Sequence, residues 1–126
     1  MSEGSSPQGW EIRDSGQRHE FASGMQRDTA QGKPRFDLLL PLGVSFEQQM
    51  LTRFAAHMAR GAEKYDERNW EKANSQEEID RMKASAMRHL FQWVAGEADE
   101  DHASAVMANI MFAETTKVKL AEGGKP

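Results

Sequence analysis

The chain's densest group of side chains able to do chemistry is GEADEDHASAVMAN, from Gly96 to Asn109. Glu97, Asp99, Glu100 and Asp101 place four acids within five residues, and His102 and Asn109 follow. Carboxylates this close repel one another, and two causes can gather them. Acids favour the positive end of a helix by about 0.3–1 kcal/mol each, which would make Asp99 or Asp101 a helix cap. Alternatively they hold a cation. Hard divalent ions take clustered oxygens, and magnesium combines a few carboxylates with waters and substrate phosphates.

The helical period favours the second cause. If the helix before the acids continues through Glu97, that residue points with Ile79 and within the stripe of Met82, Ala86 and Leu90. A charge there needs a partner, because burying it alone costs several kcal/mol. His89 flanks the same stripe. On the following helix His102 points along the apolar face, with Asn109 two turns on at the same azimuth. These groups are expected to converge in one helix–helix seam. Glu97, Glu100 and Asp101 would hold Mg²⁺ or Mn²⁺, and Glu97, His102 and His89 would serve catalysis. Asp99 is left as the cap. A zinc site on His89, His102 and a carboxylate is the rival. The surplus of acids over histidines favours magnesium or manganese.

Weaker candidates lie elsewhere. Lys33, Arg35 and Asp37 surround Pro34 in KPRFD, either as an ordinary linker or as a phosphate-binding loop. Asn69 and Trp70 could meet a base, or Trp70 could close a core. Glu63 falls opposite the apolar stripe of its helix and reads as solvated, and His57 flanks the buried side. Phosphate loops of the P-loop type, GxSxG elbows and HExxH zinc patterns do not occur.

The elements that must position these residues are helical. Residues 1–32 are rich in Gly, Ser, Gln and charge without periodicity and are expected to form a flexible or extended arm. Residues 33–120 are expected to form the helical domain, and 121–126 a disordered tail. GKPRFDLLLPLG, with Pro34 and Pro41, is a poor helix and reads as an extended segment. SFEQQMLTRFAAHMARGAEKY reads as the first helix, started by a Ser45–Gln48 capping box, with Phe46, Met50, Phe54, Met58 and Tyr65 along one side. The second helix starts at the Ser75–Glu78 capping box. It carries Ile79, Met82, Ala86, Leu90 and Trp93 on one face and stops at Gly96. The third runs from about Asp101 to Leu120. Ala105, Val106, Phe112, Ala113 and Leu120 line one face, and Met107, Met111 and Val118 a second. A helix apolar on two sides is deeply buried or covered by another subunit. The expected fold is therefore all-α, a small bundle of about three main helices completed by oligomerisation.

Composition narrows the function further. The formal charge of −4 argues against a binder of nucleic-acid backbones. With no cysteine, disulfides, thiolate metal sites and a cysteine nucleophile are excluded. The first residues lack a signal-peptide pattern, and no apolar stretch approaches membrane-spanning length, so a cytoplasmic protein without membrane partners is expected.

Three segments in order, EFASGMQRDTAQGKPRFDLL, ARGAEKYDERNWEKA and RHLFQWVAGEADEDHASAVMAN, resemble the phage family of dATP/dGTP diphosphohydrolase N-terminal domains. That family is the MazZ-like branch of the MazG-type nucleotide pyrophosphohydrolases. The resemblance runs from about Arg18 to Asn109. It implies an all-α fold assembled into homodimers or homotetramers. It also implies Mg²⁺- or Mn²⁺-dependent hydrolysis of a purine deoxynucleotide, dGTP or dATP, to the monophosphate; in a phage the setting would be the host cytoplasm. MazG-type enzymes share a paired ExxE and ExxD on successive helices. Here His89 and Gln92 stand where the first pair would fall, and His102 and Ala105 where the second would. The acids of GEADED are the candidate replacement. Under this reading Lys33 and Arg35 offset phosphate charge, with Asp37 and Asn109 beside the substrate. The competing reading is a non-enzymatic helical phage module whose second apolar stripe binds another protein.

Overall fold

A computed structural model describes residues 11–29 and 31–123. The expected arm and tail extend beyond these, at 1–10 and 124–126, outside the described residues. The chain divides into two compact units, the first ending at Phe36 and the second starting at Asp37.

In the first unit, where no periodicity was legible, strands β1 (Arg18–Glu20) and β2 (Gln26–Asp28) pair antiparallel, with Arg18 opposite Asp28. The turn closes through Phe21 N–H donating to the Met25 carbonyl at 2.8 Å. Asp28 ties the base of the hairpin: it accepts from the Ser15 amide at 3.2 Å and from the Ser15 hydroxyl, and lies 3.4 Å from Lys33. Strands of three residues are too short to show an alternating pattern.

In the second unit, helices α1 (Met50–Lys64), α2 (Gln76–Val94) and α3 (His102–Ala121) make up the α-structure among the described residues. Both α1 and α2 pack on α3. The bundle matches the expected all-α class. The first helix starts later than the capping box suggested. Ser45 and Gln48 bond to each other through their side chains at 3.2 Å, and Phe46–Gln48 form a separate 3₁₀ turn. Phe46 stays exposed, and Tyr65 lies beyond the helix end. The second capping box is realised: the Ser75 hydroxyl accepts from the Glu78 amide at 3.2 Å, while Glu78 accepts from the Asn74 amide at 2.9 Å.

The seam between α2 and α3 is tight because α3 presents small residues there. Ser104, Ala105, Ala108, Ala113 and Thr116 are buried, as is Ile79 of α2. Small side chains let the helix backbones approach, so hydrogen bonds and close packing replace bulky apolar contacts. Leu90 and Trp93, expected on the buried face of α2, are half exposed, and His89 takes the buried position instead. The second stripe of α3 is partly open, with Met107 and Val118 at the surface of the chain.

Candidate active site

The turn between α2 and α3 carries the acidic residues. Gly96 ends α2 in the left-handed conformation, at φ 81°. Its N–H donates to the Trp93 carbonyl at 3.1 Å and the Glu97 N–H to the Gln92 carbonyl at 3.0 Å, the paired bonds of a Schellman termination. Glu97 is therefore past the helix, exposed, and does not extend the Ile79–Leu90 stripe as the period predicted. Its carboxylate accepts from Gln92 Nε2 at 3.1 Å.

The cap of α3 is Asp101, not Asp99. Asp101 accepts from the Ser104 amide at 3.1 Å and its hydroxyl at 2.8 Å. It also takes a two-pronged pair from Arg53 of α1, at 2.7 and 3.1 Å. The Arg53 guanidinium, helped by Ser104, holds this carboxyl well below the usual carboxylate range. Four hydrogen bonds occupy the positions a carboxylate has to offer. Asp101 thus pins α1 to the start of α3.

Asp99 instead faces His102, whose Nε2 lies 2.7 Å from Oδ1, and this bond lowers the Asp99 pKa. On its other side the buried His102 meets the buried His89, Nδ1 to Nδ1, at 2.8 Å. Only one of two facing nitrogens can carry the shared proton. If Asp99 fixes the His102 proton on Nε2, the His102 Nδ1 accepts and the His89 Nδ1 donates, an assignment made from the bonding pattern. His89 Nε2 is then an acceptor, facing Arg88 Nη2 at 3.5 Å. Burial, and secondarily the Arg88 charge, pushes the His89 pKa down, which keeps the ring neutral.

Two concavities open beside this relay. A groove of about 1110 Å³ runs between Arg53, Arg60 and Lys64 of α1, Arg88 and His89 of α2, and the acids Asp99, Glu100 and Asp101. Its α1 wall is cationic, and its far lip is acidic. A smaller, largely apolar pocket of about 190 Å³ lies between Met58 and Ala62 of α1, Asn69, Trp70 and Phe112. Trp70 stacks on Phe112 with ring centroids 4.7 Å apart. Arg68, on the rim, holds φ 59°, the one non-glycine residue with positive φ among those described. Both concavities are lined by His57, Gly61 and Tyr65.

Of the expected site residues, the structure brings Glu97 and His102 together, adding Asp99. One ligand atom from each lies within 4.8 Å of the others, a group that could hold a metal ion. Glu100 and Asp101 are outside that group but line the groove, as do His89 and Asn109. Asn109 spends its Nδ2 on the Ala105 carbonyl at 2.9 Å. Asn69 and Trp70 line the apolar pocket. Asp37 sits in an exposed 3₁₀ turn, Phe36–Leu39. Lys33 and Arg35 are exposed residues of the first unit. The pattern in sequence had a further signal, Arg53, His57, Arg60 and Lys64, spaced by four, three and four residues. That is one face of a helix, of which the sequence singled out only His57, as flanking the buried side, and not the cations beside it.

The model of the family described as dATP/dGTP diphosphohydrolase, N-terminal, matches residues 22–122. The chain belongs to this family. No curated protein and no solved structure matches it. The match to the diphosphohydrolase N-terminal domain spans α1, α2, α3 and the acidic turn, so every residue of the groove and pocket lies within it. Among the described residues of this family member, no helix is long and apolar enough to cross a membrane.

Proposed function

We propose that this chain hydrolyses purine deoxynucleoside triphosphates, dGTP or dATP, to the monophosphate and pyrophosphate with Mg²⁺ or Mn²⁺. The observation that carries this is the junction of an aromatic, apolar pocket with a charged groove along one face of α1. A ligand with a flat apolar end and a polyanionic end, joined by a short link, suits that pair.

The donor set fits a hard cation: two carboxylates, Glu97 and Asp99, both exposed and able to turn toward an ion, with His102 orienting Asp99 through Nε2–H and not itself a ligand. Glu100 stands next to them on the groove lip. When bound, the ion supplies charge neutralisation for the phosphates and a water of lowered pKa. Asp101 serves better as cap and Arg53 partner than as ligand. Arg60, Lys64 and Arg88 offset the remaining phosphate charge along the groove, Arg88 by paired donation and Lys64 as a point charge. Trp70 and Asn69 hold the base, by packing and hydrogen bonding. With Arg88 turned from His89 to the phosphates, His89 Nε2 accepts the proton of the attacking water, and the Asp99–His102 chain orients the ring. Water oxygen bonds to the α-phosphorus as the bond to the β-bridging oxygen breaks, and pyrophosphate leaves. A zinc reading fares worse, since the histidines each spend one nitrogen on the other.

The active form is proposed to be a homodimer or homotetramer. Ile79 is the only buried apolar residue larger than alanine among those described, while Met87, Phe91 and Val94 of α2 and Ile110 and Val118 of α3 are exposed. A bundle this poor in internal apolar burial gains stability by covering such stripes. The same stripes are what favours the non-enzymatic reading, a module that binds another protein. Incubation with dGTP and dATP in Mn²⁺ decides between them. Pyrophosphate that stops forming on chelation supports the hydrolase. No turnover of any nucleoside triphosphate, with a heterologous partner bound through the α2 stripe, supports the module.

A further inference from the structure

Nothing among the described residues requires Gly61 to be glycine. It lies inside α1, where glycine costs about 1 kcal/mol relative to alanine. Its φ is not among the positive values, so the backbone does not require it. A Cβ built there meets no atom of the described residues within 4 Å, so tight packing among them does not require it either. Two of the usual physical causes of a helical glycine are thereby excluded, and close approach by something outside the chain is left. The position identifies that something. Gly61 lines both the apolar pocket and the charged groove, sharing that double role with His57 and Tyr65.

We propose that Gly61 is the floor of a pentose subsite, where the sugar of a nucleotide crosses from the apolar pocket to the charged groove. The inference rests on the nucleotide reading above and adds the place where the ligand bends over the helix. A methyl group at position 61 would stand in that crossing. His57 and Tyr65, one turn before and one after, flank the sugar. Burial, then the neighbouring Arg60, pushes the His57 pKa down, so its ring meets the sugar neutral. The subsite takes a nucleoside phosphate of any base that fits beside Trp70. It takes no part in holding a phosphate chain that lacks a sugar.

The test compares full-length wild type with Gly61→Ala by calorimetry, using a non-hydrolysable dGTP analogue with Mg²⁺ and, separately, inorganic tripolyphosphate with Mg²⁺. Gly61→Ala is expected to raise the melting temperature by several degrees, since it removes the helix penalty without a clash. It should weaken the dGTP analogue by about tenfold or more, the scale of one misplaced methyl in a fitted site. Tripolyphosphate affinity should stay within about twofold, because its contacts do not pass over position 61. Unchanged affinity for the analogue overturns the proposal. So does an equal loss for tripolyphosphate. A lower melting temperature or an altered oligomer mass also overturns it, because the glycine then serves a contact between chains. Wild type that binds neither ligand removes the nucleotide reading itself, a failure distinct from a normal Gly61→Ala variant.

Discussion

The apolar pocket beside Trp70 and the charged groove beside Asp99 share a face of α1 and little else. The pocket is small and mostly apolar, with an aromatic wall and with Asp66 and Arg68 among its lining residues. The groove is several times larger and carries cations on one side and acids on the other. On the proposed function, the difference separates two tasks. Packing in the pocket acts equally on substrate and transition state and therefore appears in KM. Charges in the groove act where charge moves during the reaction and appear in kcat.

The sharpest way to break that division is at the acids. Glu97→Gln should lower kcat for dGTP on the order of a hundredfold or more, the scale of losing one charge-stabilising group. Melting should be unchanged, because Glu97 is exposed and its carboxylate accepts a surface hydrogen bond from Gln92. Steady-state kinetics in Mn²⁺ with a parallel melting curve reads both. A large stability loss would mean that the turn, not the chemistry, needs the charge. Asp101→Ala is the converse. It removes the α3 cap and the Arg53 pair, the latter discounted because Arg53 is half exposed, and should cost about 2 kcal/mol of stability. Urea unfolding measures it. Trp70→Ala should leave kcat within about twofold and raise KM for dGTP about tenfold, as losing a stacked aromatic does. A kcat loss larger than the KM change would blur the two regions into one.

The smallest effect is on pH. The His89 pKa is lowered in the folded chain, so the unfolded state binds more protons as the solution is acidified. Its contribution to stability is complete above the unfolded pKa of about 6.5 and is lost as pH falls through the folded value. Asp101, also lowered, adds a second loss that begins below about pH 4. Urea midpoints from pH 8 to 5 should fall for wild type and fall less steeply in His89→Gln, the remaining slope coming from His57, whose pKa is also lowered. A slope left unchanged by the substitution would place the titrating group elsewhere.

The helices were legible because their signals are local. The Ser75–Glu78 box and Gly96 fixed both ends of α2, and the 3.6-residue period picked out the Ile79 face. Ser45 misled because the same box chemistry also suits a 3₁₀ turn, which its pairing with Gln48 made. Glu97 was aimed wrongly by extending the period past the glycine that ends the helix. Which acid caps α3 depends on where the chain turns after Gly96, and nothing local distinguishes Asp99 from Asp101. The Arg53–Asp101 pair spans 48 residues and is a product of packing. The meeting of His89 with His102 was legible as two rings aimed at one seam. Their direct bond required the close helix approach that Ser104 and Ala105 permit.

The most direct test is a crystal structure with a non-hydrolysable dGTP analogue and Mn²⁺. The account predicts a manganese ion held by Glu97 and Asp99, phosphates along Arg60, Lys64 and Arg88, and guanine against Trp70. Carboxylates turned into solvent with no ion among them, and the base bound away from Trp70, would contradict it.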